Sequence, residues 1–339
     1  MKKLIIGTIL MIYMAIIPMT AFAAEITFDL ETLNANGGDV SINNNIITID
    51  SDPDDIIIIK GNNPDDYSIE IENALDIRLE ENTEIYGTGE YHALIVPDGS
   101  TITGMGDGIV IAHGDGSSSD GYSGIFSTGD ISISGTIKSI EGSNSDTGSG
   151  GSGISAKNVI ISDTATIFFV AGGNSYEDFS GSGISAEDNI NISGTIQTIR
   201  AGEANQLDGS GGYGLFSQNG KIIISGNIKN IYGGDADNSG GHGIFAFAGD
   251  IIIEQDAIIG NIFGGNSALS KGGDGIHASG KVIILGTTED IIAGSSYEVN
   301  GGTGIFSYNG NIEISGNIKD IYGGDGYELG GHGIFAPRT

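Results

Sequence analysis

Residues 304–336 read GIFSYNGNIEISGNIKDIYGGDGYELGGHGIFA, and residues 214–246, 90 positions earlier, read GLFSQNGKIIISGNIKNIYGGDADNSGGHGIFA. The two stretches are near copies. Their opening Gly-apolar step also occurs alone. It appears as GIFS at Gly124, GISA at Gly153 and Gly183, GLFS at Gly214, GIFA at Gly243, GIHA at Gly275, GIFS at Gly304 and GIFA at Gly333. The spacings are 29, 30, 31, 29, 32, 29 and 29 residues. A fixed period of this size marks a chain built by stacking one small unit. The 90-residue separation equals three units, so a three-unit block is duplicated.

Each unit has the same interior. Alternating segments follow the Gly step: ISIS from Ile131, INIS from Ile190, IIIS from Ile222 and IEIS from Ile312. Then come SGTIKSI, SGTIQTI, SGNIKNI or SGNIKDI, and a Gly-rich polar stretch closes the unit. Short period-2 runs rich in Ile and bounded by Gly, Asn and Ser predict strands. No apolar stripe of helical period runs for three turns. The predicted fold is all-β, a right-handed parallel β-helix (β-solenoid) with about 30 residues and three short strands per coil. One coil cannot bury its Ile face alone, but stacked coils can. Ile131 and Ile133 are expected to stack with Ile190 and Ile192, Ile222 and Ile224, and Ile312 and Ile314. A second column is Ile137, Ile196, Ile228 and Ile318. The recurring Gly is placed at corners, for positive φ or for close approach.

Composition agrees. The 339 residues include 60 Ile and 59 Gly, about a third of the chain, with no Cys or Trp. Lack of Cys excludes a disulfide scaffold and a thiolate metal cage. The 44 acids outnumber 13 basic residues, a formal charge of −31. That sign excludes nucleic-acid binding, which needs clustered cations. Three Arg are present, Arg78, Arg200 and Arg338, so lyase action on a polyanion is disfavoured.

Residues 1–23 are expected to be a signal peptide. Lys2 and Lys3 precede an apolar run over 4–18, and Ala21-Phe22-Ala23 supplies a small-residue cleavage pattern. Their removal takes away two Lys and no acid, leaving a charge of −33 and no transmembrane segment. Residues 24–123 are read as an N-terminal cap with irregular first coils, an independent sandwich domain being the alternative. Turns at Pro53-Asp54-Asp55 and Pro64-Asp65-Asp66 separate its early strands. Residues 124–339 hold seven full coils and the start of an eighth. That last coil has no visible cap, which offers end-to-end self-association.

The stretch from Ile77, IRLEENTEIYGTGEYHALIVPDGSTITGMGDGIVIAHG, carries a strand, then Val-Pro-x-Gly, then Gly-x-Gly. It resembles a segment of secreted bacterial surface proteins with Gly-rich right-handed parallel β-helix repeats, adhesin-like relatives of the pectate-lyase-like superfold. The resemblance covers about 40 residues, and the 30-residue repeats agree with it in style. It implies an extracellular solenoid of adhesive or carbohydrate-associated character.

Candidate sites follow from repeat positions. Gly241-His242-Gly243 and Gly331-His332-Gly333 resemble the GHG motif of polygalacturonase-type glycoside hydrolases. That family also needs paired Asp from neighbouring coils and an Arg-bearing substrate clamp. Here the clamp position reads NIK or TIK, and other units carry Ser182, Tyr213, Asp274 or Thr303 where these His stand. The motif is therefore read as a corner, and no catalytic residue is assigned. Asp235-Ala236-Asp237-Asn238-Ser239-Gly240 matches the opening of a calcium loop without its closing Glu, which makes Asp235 and Asp237 candidate calcium ligands. No other cofactor is expected. Phe126, Phe216, Phe245, Phe306 and Phe335 follow the corner Gly by two and are expected at an edge of the core. Tyr232, Phe263 and Tyr322 follow the third strand, where other coils have Glu141, Arg200 or Ala293, and are expected to face outward. Exposed rings on a flat sheet can stack on sugars, so these three are the glycan-contact candidates. The resulting reading is an exported, non-enzymatic solenoid of the cell surface or medium, structural or adhesive, with a glycan or surface protein as partner. The alternative is a polysaccharide-degrading enzyme, hydrolase or lyase, of the same fold.

Overall fold

A computed structural model describes residues 25–337, apart from 37–38, 44, 63–66, 88–89, 114–119 and 207. The proposed signal peptide and the Pro64-Asp65-Asp66 turn lie outside the described residues. The described chain is all-β, a parallel β-solenoid of about ten turns of about 30 residues each. No helix among the described residues is long and apolar enough to cross a membrane.

A representative coil shows how the sequence makes the shape. Its first strand is Ile244–Ala246, its second Ile251–Ile253 and its third Ile258–Phe263. Alternation sends Ile244, Ala246, Ile251, Ile253, Ile259 and Ile262 inward, all essentially inaccessible to solvent. The first strands of successive coils form one twelve-stranded sheet. The second and third strands form a twenty-stranded sheet, joined because Asp130–Glu141 runs unbroken through both positions. Pairing is parallel throughout, apart from two N-terminal hairpin contacts. There, Glu25–Asp29 pairs antiparallel with Asn34–Asn36, and Asp39–Asn43 with Ile46–Asp50.

Register places like over like. Ile131, Val159, Ile190, Ile222, Ile251, Val282 and Ile312 form one column. Ile137, Ile167, Ile196, Ile228 and Ile259 form another, followed by Thr288 and Ile318. The expected columns are therefore present. Each buried Ile contributes about 1.5–3 kcal/mol relative to exposure, and one contiguous core runs from Ile26 to Ile305.

The Gly-rich stretch is more than a turn. Its two limbs, such as Gly233-Gly234 and Gly240-Gly241, press together backbone to backbone. Gly234 N–H donates to Gly212 O, Gly241 N–H to Gly234 O, Gly265 N–H to Gly241 O and Gly273 N–H to Gly265 O, all at 2.8–2.9 Å. The bonds pass alternately from limb to limb and coil to coil. A Cβ on Gly241 would lie 1.8 Å from the Gly212 carbonyl oxygen. Close approach, not positive φ, is what these positions require. Among the described residues the Gly residues with positive φ are Gly61, Gly99, Gly108 and Gly135, none of them in the limbs.

The Phe column also corrects an expectation. Phe216, Phe245, Phe306 and Phe335 lie in register, with His277 between Phe245 and Phe306. In the strand Leu215–Ser217 the flanking Leu215 and Ser217 are fully buried, so Phe216 points away from the core. The rings make a ladder on the outer face of the twelve-stranded sheet instead of an edge of the core. Centroid separations along it are 4.7–5.8 Å.

Candidate functional site: an axial groove beside Tyr232 and Phe263

The end of each third strand projects one side chain outward. In register these are Glu141, Ala171, Arg200, Tyr232, Phe263, Ile292 and Tyr322, so Ile292 holds the position expected for Ala293, which is buried one residue on. Tyr232 and Phe263 lie face to face, with centroids 4.9 Å apart and planes 6° from parallel. Tyr322 is exposed and stands two coils beyond Phe263, with Ile292 between. Two of the three expected rings are thus brought together and the third is not.

A second wall faces this column across the start of the Gly-rich limbs. It is made of side chains that cap the next coil. Asn144 Oδ1 accepts the Asn174 N–H at 2.7 Å, and Asn174 Oδ1 accepts the Glu203 N–H at 2.8 Å. Asp235 Oδ1 accepts the Asn266 N–H at 2.6 Å, and Asn266 Oδ1 accepts the Ser295 N–H at 2.9 Å. Asn, Asp and Ser recur here because a short side chain with an acceptor oxygen can reach an amide one coil away. Between the walls the floor is Gly233, Gly264 and Ala293. The resulting groove of about 600 Å³ is further lined by Phe169, Thr198, Arg200 and Glu203. It follows the rod axis over five coils, about 20 Å at the spacing of neighbouring strands.

This geometry gives Asp235 a structural task. Its carboxylate oxygen holds both the backbone N–H and the side-chain amide of Asn266. Among the described residues, Asp235 and Asp237 are not gathered with a third His or carboxylate that could share an ion. One such group does exist elsewhere, at His242, Asp274 and His277, with donor atoms within 4.8 Å of one another. Asp274 is fully buried. Its Oδ1 accepts from Lys271 Nζ at 2.7 Å and the Thr303 N–H at 2.6 Å, and its Oδ2 from His277 Nδ1 at 2.7 Å. His242 Nδ1 accepts the Asp274 N–H at 2.8 Å. Both Asp274 oxygens and the Nδ1 atoms of His242 and His277 are engaged in this way, so the cluster is a hydrogen-bonded network beside the outer ring ladder. Lys271 Nζ also sits 5.6 Å over the Phe306 ring. Burial alone would raise the Asp274 pKa, but the His277 hydrogen bond and the neighbouring His242 and Lys271 hold it well below the usual carboxylate range. Burial pushes the His242 imidazole down to about 3.

The His242 ring stacks on Tyr213, with centroids 5.5 Å apart and planes 9° from parallel, and His332 stacks on Phe335. Both histidines of the GHG pairs therefore pack in the ladder, on the first-strand sheet and away from the groove. Sequence reasoning missed the Asp274–His277 pair. Its signal was the single coil that puts an acid at the corner and His in the Phe column. It also missed the capping wall, whose residues read as loop.

No protein-family model, no curated protein and no solved structure matches this chain.

Proposed function

We propose that this protein is an exported, non-enzymatic β-solenoid of the cell surface or medium, and that its axial groove holds a neutral glycan chain. The observation that carries the reading is the parallel Tyr232–Phe263 pair at the wall of an open groove. Sugar rings present apolar C–H faces that stack on aromatic rings, while their hydroxyls pair with amides and carboxylates such as Asn266 and Glu203. A single Arg beside Glu203 and Asp235 gives the groove no net positive field, which favours an uncharged ligand.

Glu203 and Asp235 occupy neighbouring coils in the same groove, the arrangement that would favour hydrolysis. Asp235 is committed to capping Asn266, which leaves Glu203 without a second free carboxylate as the partner hydrolysis needs. That commitment supports binding over hydrolysis.

The test is a glycan array followed by calorimetry with the unsubstituted protein, Tyr232→Ala and Phe263→Ala. Each substitution should weaken a neutral oligosaccharide by about 2–12-fold, the scale of one lost ring stack. Silence on every glycan would sink the reading and leave a scaffold or protein adhesin. Release of reducing ends that stops in Glu203→Gln would favour the enzyme.

A further inference from the structure

The groove does not stop at Arg200. A second compartment of about 310 Å³ continues it, lined by His113, Glu141, Asn144, Asn174 and the small residues between them. Phe169, Arg200 and Glu203 line both compartments. Arg200 belongs to the ring wall and Glu203 to the capping wall, and their side chains meet as an ion pair across the gap. Beneath them the floor is unbroken, because Ala201 is buried and continues the line of Gly142, Gly172, Gly233 and Gly264.

We propose that the Arg200–Glu203 ion pair is a movable bar that sets the length of glycan the groove accepts. The inference rests on the glycan reading above. The backbones carrying the bar are fixed. Arg200 lies in a strand paired on both sides, to Ala171 and Tyr232, and the Glu203 N–H is held by Asn174 Oδ1. The side chains are not fixed in this way. They are 54% and 37% exposed, and an ion pair in that setting is worth little and is screened by salt. With the bar closed, a ligand is confined to the ring-lined compartment. With it open, the same ligand can extend over the continuous floor into the amide-lined compartment.

The test uses cello- and chito-oligosaccharides of two to six units, titrated calorimetrically into the unsubstituted chain and Arg200→Ala. In the unsubstituted chain affinity should stop rising once the ring-lined compartment is filled. In Arg200→Ala it should keep rising, to an advantage of up to about fivefold for the longest chains. Raising NaCl to 0.5 M should give the unsubstituted chain the same gain, and the exchanged pair Arg200→Glu with Glu203→Arg should restore the plateau. Identical length dependence in both proteins would overturn the bar while leaving the glycan reading standing. So would equal weakening at every length, which would make Arg200 a contact. Binding of no oligosaccharide to either protein would sink the glycan reading and the bar with it.

Discussion

Thr288 shows how strictly one position is judged in a stacked core. It occupies a column otherwise filled by Ile, between Ile259 and Ile318, and it is 1% exposed. Its hydroxyl has no hydrogen-bond partner. The other buried hydroxyls among the described residues are satisfied. Ser175 Oγ donates to Gly148 O at 2.7 Å and accepts the Asp178 N–H at 2.8 Å. An unpaired buried hydroxyl costs about 1–3 kcal/mol. Thr288→Val keeps the shape and removes the oxygen, so it should stabilise by about 1 kcal/mol. Ser175→Ala leaves two backbone groups unpaired and should destabilise by a similar amount. Urea midpoints of the two variants check both signs. If Thr288→Val lowers the midpoint, the hydroxyl has a partner in solution.

At the scale of the element, the third strand and the Gly limbs obey different rules. Strand positions tolerate exchange within a column: Ile, Val and Thr all occur. The limbs leave little room for side chains, with only small residues such as Ser143, Ala201 and Ala293 replacing Gly in some coils, because their hydrogen bonds need backbones in contact. Gly241→Ala forces a Cβ to within 1.8 Å of a carbonyl oxygen. It should cost about 3 kcal/mol or more, since backbone must move on both sides. Asp237→Ala at the loop tip should stay within about 0.5 kcal/mol. Thermal melts of the pair would separate a pinched double limb from a solvated turn, and equal melts would refute the pinch. This contrast also explains what the sequence reveals. The strands are legible because burial writes a period of two within a strand and a period of 30 between coils. Tyr232 and Phe263 are legible because the same period aligns them. The opposing wall is not. Asn174, Asp235 and Asn266 act through amides one coil away, and that contact exists only once the limbs are folded against each other. The outward Phe ladder is hidden for a related reason. A ring two residues after a corner Gly has the same spacing whether it faces the core or the solvent.

At the scale of the whole molecule, stacking turns local charge into a long-range problem. Register sets equivalent residues about 4.8 Å apart, so a charged column would repel itself along the rod. Some columns relieve this locally. Lys221 Nζ meets Asp250 Oδ2 one coil on at 3.0 Å, and Lys319 Nζ reaches Asp290 at 3.2 Å. Such pairs cannot offset a formal charge of −31. They are also surface pairs, each worth about 0–1 kcal/mol. Net repulsion should therefore dominate the salt response. Raising NaCl from 10 to 500 mM shortens the screening length from about 30 Å to a few ångströms. The expected result is a rise in Tm of several degrees, read by calorimetry, whereas a fall would mean that the cross-coil pairs outweigh the repulsion. Divalent ions refine the measurement. Asp235 is already committed to Asn266, and among the described residues no third acid joins it and Asp237. Calcium and magnesium at equal ionic strength should therefore raise Tm alike. An extra calcium increment that disappears in Asp237→Asn would instead identify this turn as a specific calcium site.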